Sequence, residues 1–125
     1  ITKAGVEGSN NGSNDIATPL TDAKLVNFSI VKGAEFGASE QAINFKEGGG
    51  KQEYTNLFVD GIETACKLDS GTGATTRIEE GDFKVINYEF TATSPILNGA
   101  NFSGSTTAIG AGSGATLPTW AAWIN

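Results

Sequence analysis

The sequence predicts an all-β solenoid of a few short coils, and three observations carry that expectation. Seventeen glycines stand among many serines, threonines and asparagines in a chain of 125 residues with no methionine, no histidine and three prolines, a composition suited to short strands joined by turns. Three segments align on an asparagine, residues 23–31 on Asn27, 52–60 on Asn56 and 83–91 on Asn87, at spacings of 29 and 31 residues. A second set, residues 42–48, 65–71 and 108–114, follows each of them in turn and ends in glycine.

Along the chain, residues 1–22 form an N-terminal edge or loop, because "EGSNNGSNDIATPLTD" is polar and rich in turn formers. A start at Ile1 rather than Met fits a processed mature chain or an excised fragment. The repeating coils are expected over 23–115. In the asparagine segments Phe28 and Ile30, Leu57 and Val59, and Tyr88 and Phe90 share one face, whereas before the asparagine the apolar positions are Leu25, Tyr54 and Val85. The parity flips at each asparagine, so the chain must bend there, and asparagine tolerates the left-handed backbone such a corner needs. In the second set Ile43 and Phe45, Cys66 and Leu68, and Ile109 and Ala111 alternate with polar residues or glycine, the period of a half-buried strand. The run "INFKEGGGK" over 43–51 then reads as such a strand stopped by a glycine turn. The core expected from this pattern is Phe28, Ile30, Ile43, Phe45, Leu57, Val59, Cys66, Leu68, Tyr88 and Phe90. Residues 116–125 form a C-terminal cap, in which Trp120 and Trp123, three apart behind Pro118 and Thr119, fit one helical turn that buries both rings. The other reading of the two tryptophans is an exposed platform for stacking sugars. Unequal coil lengths, with 72–82 longer than 48–51, are compatible with a solenoid whose insertions fall in loops, and an antiparallel β-sandwich is the alternative fold.

The segments "NFSIV", "NLFVD" and "NYEFT", followed by "AINFKEG", "ACKLDSG" and "AIGAGSG", resemble the coils of right-handed parallel β-helix proteins of the pectate-lyase-like kind, found among secreted and surface bacterial proteins. The resemblance covers about residues 20–115 and implies the fold more strongly than an activity, since such proteins include both polysaccharide-cleaving enzymes and non-catalytic surface modules.

Function is constrained mainly by exclusion. Net charge is −6, with 14 acidic and 8 basic residues and Arg77 the sole arginine, so the basic cluster that phosphate backbones require is missing and nucleic acid is not an expected partner. No apolar run reaches the ~20 residues of a spanning helix, and membrane insertion is not expected. Without histidine, Ser-His-Asp and Cys-His constellations cannot form. Cys66, the single cysteine, alternates into the apolar face and reads as an inert core thiol. Nine Glu and five Asp offer no spacing that selects a glycosidase pair. Glu79, Glu80 and Asp82 form the densest acidic stretch and, with Asp69, supply oxygen donors of the kind calcium takes, although their spacing lacks a dedicated calcium loop, and no cofactor is expected. The expected binding surface is this acidic turn together with the outward residues Lys46, Lys67 and Asp69, which should form a mixed-charge row. The sequence thus points to a non-enzymatic extracellular or cell-surface module that presents a surface to a glycan or protein partner. A polysaccharide-active lyase or hydrolase, and a subunit that assembles end to end through open sheet edges, are the alternatives.

Overall fold

A computed structural model describes residues 4–33, 41–68, 80–91, 101–104, 106–112 and 119–124. Among these residues seven strands are present: β1 (Ala4–Ser9), β2 (Asp22–Val31), β3 (Gln41–Lys46), β4 (Lys51–Asp60), β5 (Thr64–Leu68), β6 (Phe83–Phe90) and β7 (Asn101–Ser103), and a 3-10 helix covers Thr119–Ile124. They form two sheets, β1-β3-β5 and β2-β4-β6-β7, and every strand pair among the described residues is parallel. The first six strands alternate between the sheets, so each strand returns beside its predecessor in the same direction. The antiparallel sandwich is thereby excluded.

The asparagines stand in neighbouring corners. Val26 lies beside Thr55 and Thr55 beside Ile86, while Phe28 lies beside Leu57 and Leu57 beside Tyr88, which puts Asn27, Asn56 and Asn87 in one column. All three adopt the left-handed conformation, with φ of 55°, 56° and 52°, and this turn is what inverts the inward parity along each long strand. Asn56 Nδ2 donates to Asn27 Oδ1 at 2.8 Å. In the next coil the corner falls to Gly104, which follows Ser103 beside Ile86 and has a φ of 82°. A Cβ at Gly104 would overlap Asn87 Oδ1, so only glycine fits that corner.

The glycine run after β3 is the expected turn. Gly48, Gly49 and Gly50 all have positive φ, and a Cβ at Gly49 would collide with the Phe45 ring. Gly49 N–H donates to Lys46 O at 2.7 Å, and Lys51 N–H donates to Thr21 O at 2.6 Å as the chain enters β4. Residues 10–21 fold into a loop organised by one side chain: Asn10 Nδ2 donates to the carbonyls of Asp15 and Ala17, and Asn10 Oδ1 accepts from Thr21 N–H.

The core lies between the sheets and contains Ile30, Ile43, Phe45, Leu57, Val59 and Cys66 as expected, joined by Tyr54, Phe83, Val85, Ile62, Ala42 and Ala65. Phe45 and Phe83 meet edge to face at 4.7 Å. Phe28, Tyr88 and Phe90 pack against this cluster but are only half-buried, contrary to the sequence expectation. The reason is position in the stack. Among the described residues β2 is an edge strand and β7 reaches only as far as Ile86, so no described strand lies beside Tyr88 and Phe90 on that side. The Leu68 side chain lies outside the described residues.

Two further expectations are corrected. Residues 108–112 are not a strand: Ile109 is exposed, and 110–112 form a turn. The segment crosses the outside of the long-strand sheet, where its backbone bonds to Asn56 and Ser29, which removes it from any strand ladder. At the C-terminus the helical turn forms, but Trp120 and Trp123 are 68% and 78% exposed, so the rings do not bury as a cap. In a 3-10 helix residues three apart eclipse, and here the shared side faces outward.

Candidate functional site

A cleft of about 220 Å³ opens on the outer face of β2, β4 and β6 before the asparagine bend, lined by Asp22, Lys24, Lys51, Gln52, Glu53, Asp82 and Lys84. Strand register dictates how these side chains are arranged. Asp22 stands beside Lys51, and Asp82 reaches the same level because Phe83, the next residue, stands beside Gln52. Two residues further along, Lys24, Glu53 and Lys84 form a second row. One row reads acid, base, acid and the other base, acid, base, on strands about 4.8 Å apart, so each charge has neighbours of the opposite sign.

Lys24, Lys51 and Lys84 form no ion pair with any described residue, whereas Lys46 pairs with Glu7 at 3.2 Å on the other sheet. All three lysines are exposed, so their ammonium groups are open to solvent at the cleft. Beneath them Gln52 is fixed: its backbone N–H donates to Asp82 O at 2.8 Å, its Nε2 donates to Gly49 O at 2.8 Å and its Oε1 accepts from Tyr54 Oη at 3.1 Å. The side chain of Gln52 is turned inward and buried, so it braces the cleft floor.

The residues expected from sequence to share a surface are divided. Lys46 stands beside Ser9 and Lys67 beside Asn44, on the outer face of the β1-β3-β5 sheet and two residues out of register with each other. Asp82 lies in the cleft on the other sheet, and Glu80 is exposed just before it. Asp69 and Glu79 lie outside the described residues. Among the described residues no three His, Cys, Asp or Glu side chains gather as a metal site, and no helix is long and apolar enough to cross a membrane. Cys66 is buried and burial pushes its thiol up to about 12, while Tyr54 is raised by burial and then by Cys66. Both belong to the core and neither lines the cleft.

Besides the inward Gln52, five cleft residues, Asp22, Lys24, Lys51, Glu53 and Lys84, were absent from the surface expected from sequence. Their signal was available in the asparagine alignment, since the columns five and three positions before the asparagine read Asp, Lys, Asp and Lys, Glu, Lys.

No curated protein and no solved structure gives a significant match to the chain. The family model described as "Pectate-lyase like beta helix domain" matches residues 1–124, nearly the whole length. With its parallel sheets and stacked asparagine corners already in place, the chain belongs to this pectate-lyase-like β-helix family.

Proposed function

We propose that the chain is a non-catalytic binding module for a hydroxyl-rich, uncharged glycan, held outside the cell or on its surface, with the cleft over β2, β4 and β6 as its contact face. The observation that carries this reading is the alternation of charge in the cleft, Asp22, Lys51 and Asp82 against Lys24, Glu53 and Lys84. Ammonium donors and carboxylate acceptors at strand spacing match a ligand that both donates and accepts hydrogen bonds along its length. A polyanion would meet three carboxylates and a polycation three ammonium groups, so neither is favoured. The same alternation supplies no carboxyl group in an apolar setting of the kind that general-acid catalysis uses. The sheets are read as a right-handed solenoid, the sense taken by about 98% of crossovers between parallel strands of one sheet.

The test is a binding and turnover screen against neutral and acidic polysaccharides, using the parent chain and the double variant Lys24→Ala/Lys84→Ala. Retention of a neutral glycan without product release, weakened roughly 10-fold or more by the double variant, is the expected outcome, each charge-assisted hydrogen bond being worth about 1.5–3 kcal/mol before solvent screening. Release of shortened or unsaturated products would replace the binding reading with an enzymatic one.

A further inference from the structure

Phe58 is the one large apolar side chain of β4 that is buried without belonging to the core. Its neighbours Leu57 and Val59 point inward and join the core cluster, whereas Phe58 points out of the sheet and is nonetheless only 7% exposed. Gly110 lies directly on it: a Cβ at Gly110 would sit 2.8 Å from Phe58 Cβ and 2.9 Å from Phe28 O. What holds Gly110 there is a set of side-chain bonds from the strands beneath. Asn56 grips the crossing backbone at two points, with Oδ1 accepting from Ile109 N–H at 3.1 Å and Nδ2 donating to Gly110 O at 3.2 Å. Ser29 Oγ accepts from Ala111 N–H at 2.9 Å. No strand ladder ties the segment down, and Ile109 turns its side chain to solvent.

We propose that residues 108–112 form a strap that opens and closes over Phe58 while the parallel sheets beneath stay folded. The sheets are held by main-chain ladders and a continuous apolar core, whereas the described bonds from residues 108–112 to the sheet are three hydrogen bonds, with buried Ala108 and the Gly110 contact beside them, and segments with fewer such contacts open at lower free energy than the core they cover. Opening uncovers an aromatic face on the strand that also carries Glu53 of the cleft, while Asn56 keeps its amide bond to Asn27 in the corner column.

Thiol labelling tests this in the intact chain, with Cys66 as an internal reference because it is buried in the core and reacts only when the core opens. In a Phe58→Cys variant the introduced thiol should react with a maleimide at least about 10-fold faster than Cys66 under native conditions, as local opening outpaces global unfolding. Adding Gly110→Ala, which places a methyl group onto Ser29 Oγ and against Phe28 O at a position of positive φ, should raise the reactivity at position 58 further and leave Cys66 unchanged. Equal rates at the two thiols would overturn the proposal, since strap and core would then open together. Reaction at position 58 at the rate of a free thiol, insensitive to Gly110→Ala, would also overturn it, because no cover would exist. Hydrogen exchange on the unsubstituted chain gives an independent reading: the Ile109 and Ala111 amides should exchange well before those of Leu57 and Val59, and simultaneous exchange would count against the strap.

Discussion

Replacing Phe45 with alanine tests the packing logic of the whole molecule. Phe45 is 1% exposed, meets Phe83 edge to face and presses its ring tip onto Gly49, the residue that turns the chain from β3 into β4. Truncation removes a fully buried ring and one partner of an aromatic pair, which together place the loss at about 3–5 kcal/mol. With an m-value of about 2 kcal/mol/M, the urea midpoint should fall by roughly 1.5–2.5 M. The contact with Gly49 supplies a sharper check. Gly49→Ala alone must place a methyl group into the Phe45 ring and also hold alanine at a φ of 61°, a left-handed conformation costing about 1–2 kcal/mol. In the double variant the ring is gone and only the backbone strain remains, so the two losses should fall short of additivity by about 0.5–3 kcal/mol. Urea unfolding followed by circular dichroism on the four proteins measures this cycle. An unchanged midpoint for Phe45→Ala, or strictly additive losses, would refute the assignment of Phe45 to a core that abuts the glycine turn.

Asn56→Gly should be less destabilising than Asn56→Ala, because glycine keeps the φ of 56° without strain while both lose the amide bonds to Asn27 and to the crossing backbone; the difference should be about 1–2 kcal/mol by denaturation. The Cys66 thiol, raised from 9.0 to about 12 by burial, stays protonated in the fold but ionises earlier in the unfolded chain, so its contribution to stability is fully present below pH 9 and is lost as pH rises toward 12. Denaturation at stepped alkaline pH should show that fall, and Cys66→Ala should make it smaller without abolishing it, because the buried Tyr54 phenol is raised as well. Tyr54→Phe should destabilise by about 1–3 kcal/mol in the same assay, since it leaves Gln52 Oε1 without its buried donor.

The amino-acid sequence alone determined the period and the corners. A left-handed bend inverts side-chain parity, and the inversions at Asn27, Asn56 and Asn87 are written in the order of apolar residues, which is why parallel stacking of those strands was legible. The glycine turn after Lys46 was legible for the same local reason, since only glycine accepts three successive positive φ angles pressed against a ring and two carbonyls. Other features depend on which segment ends up over which. Residues 108–112 carry a strand-like alternation, yet they lie across Asn56, because a bond to a corner amide competes with a ladder and no local signal records the outcome. Phe58 has outward parity and is nonetheless buried, with Gly110 of that segment lying against it. Phe28, Tyr88 and Phe90 have inward parity and stay half-exposed because no described strand continues the sheet beside them, and Trp120 and Trp123 form their helical turn with both residues exposed. Local backbone chemistry is a property of neighbours in sequence, whereas burial is a property of neighbours in space, and only the tertiary structure decides who those are.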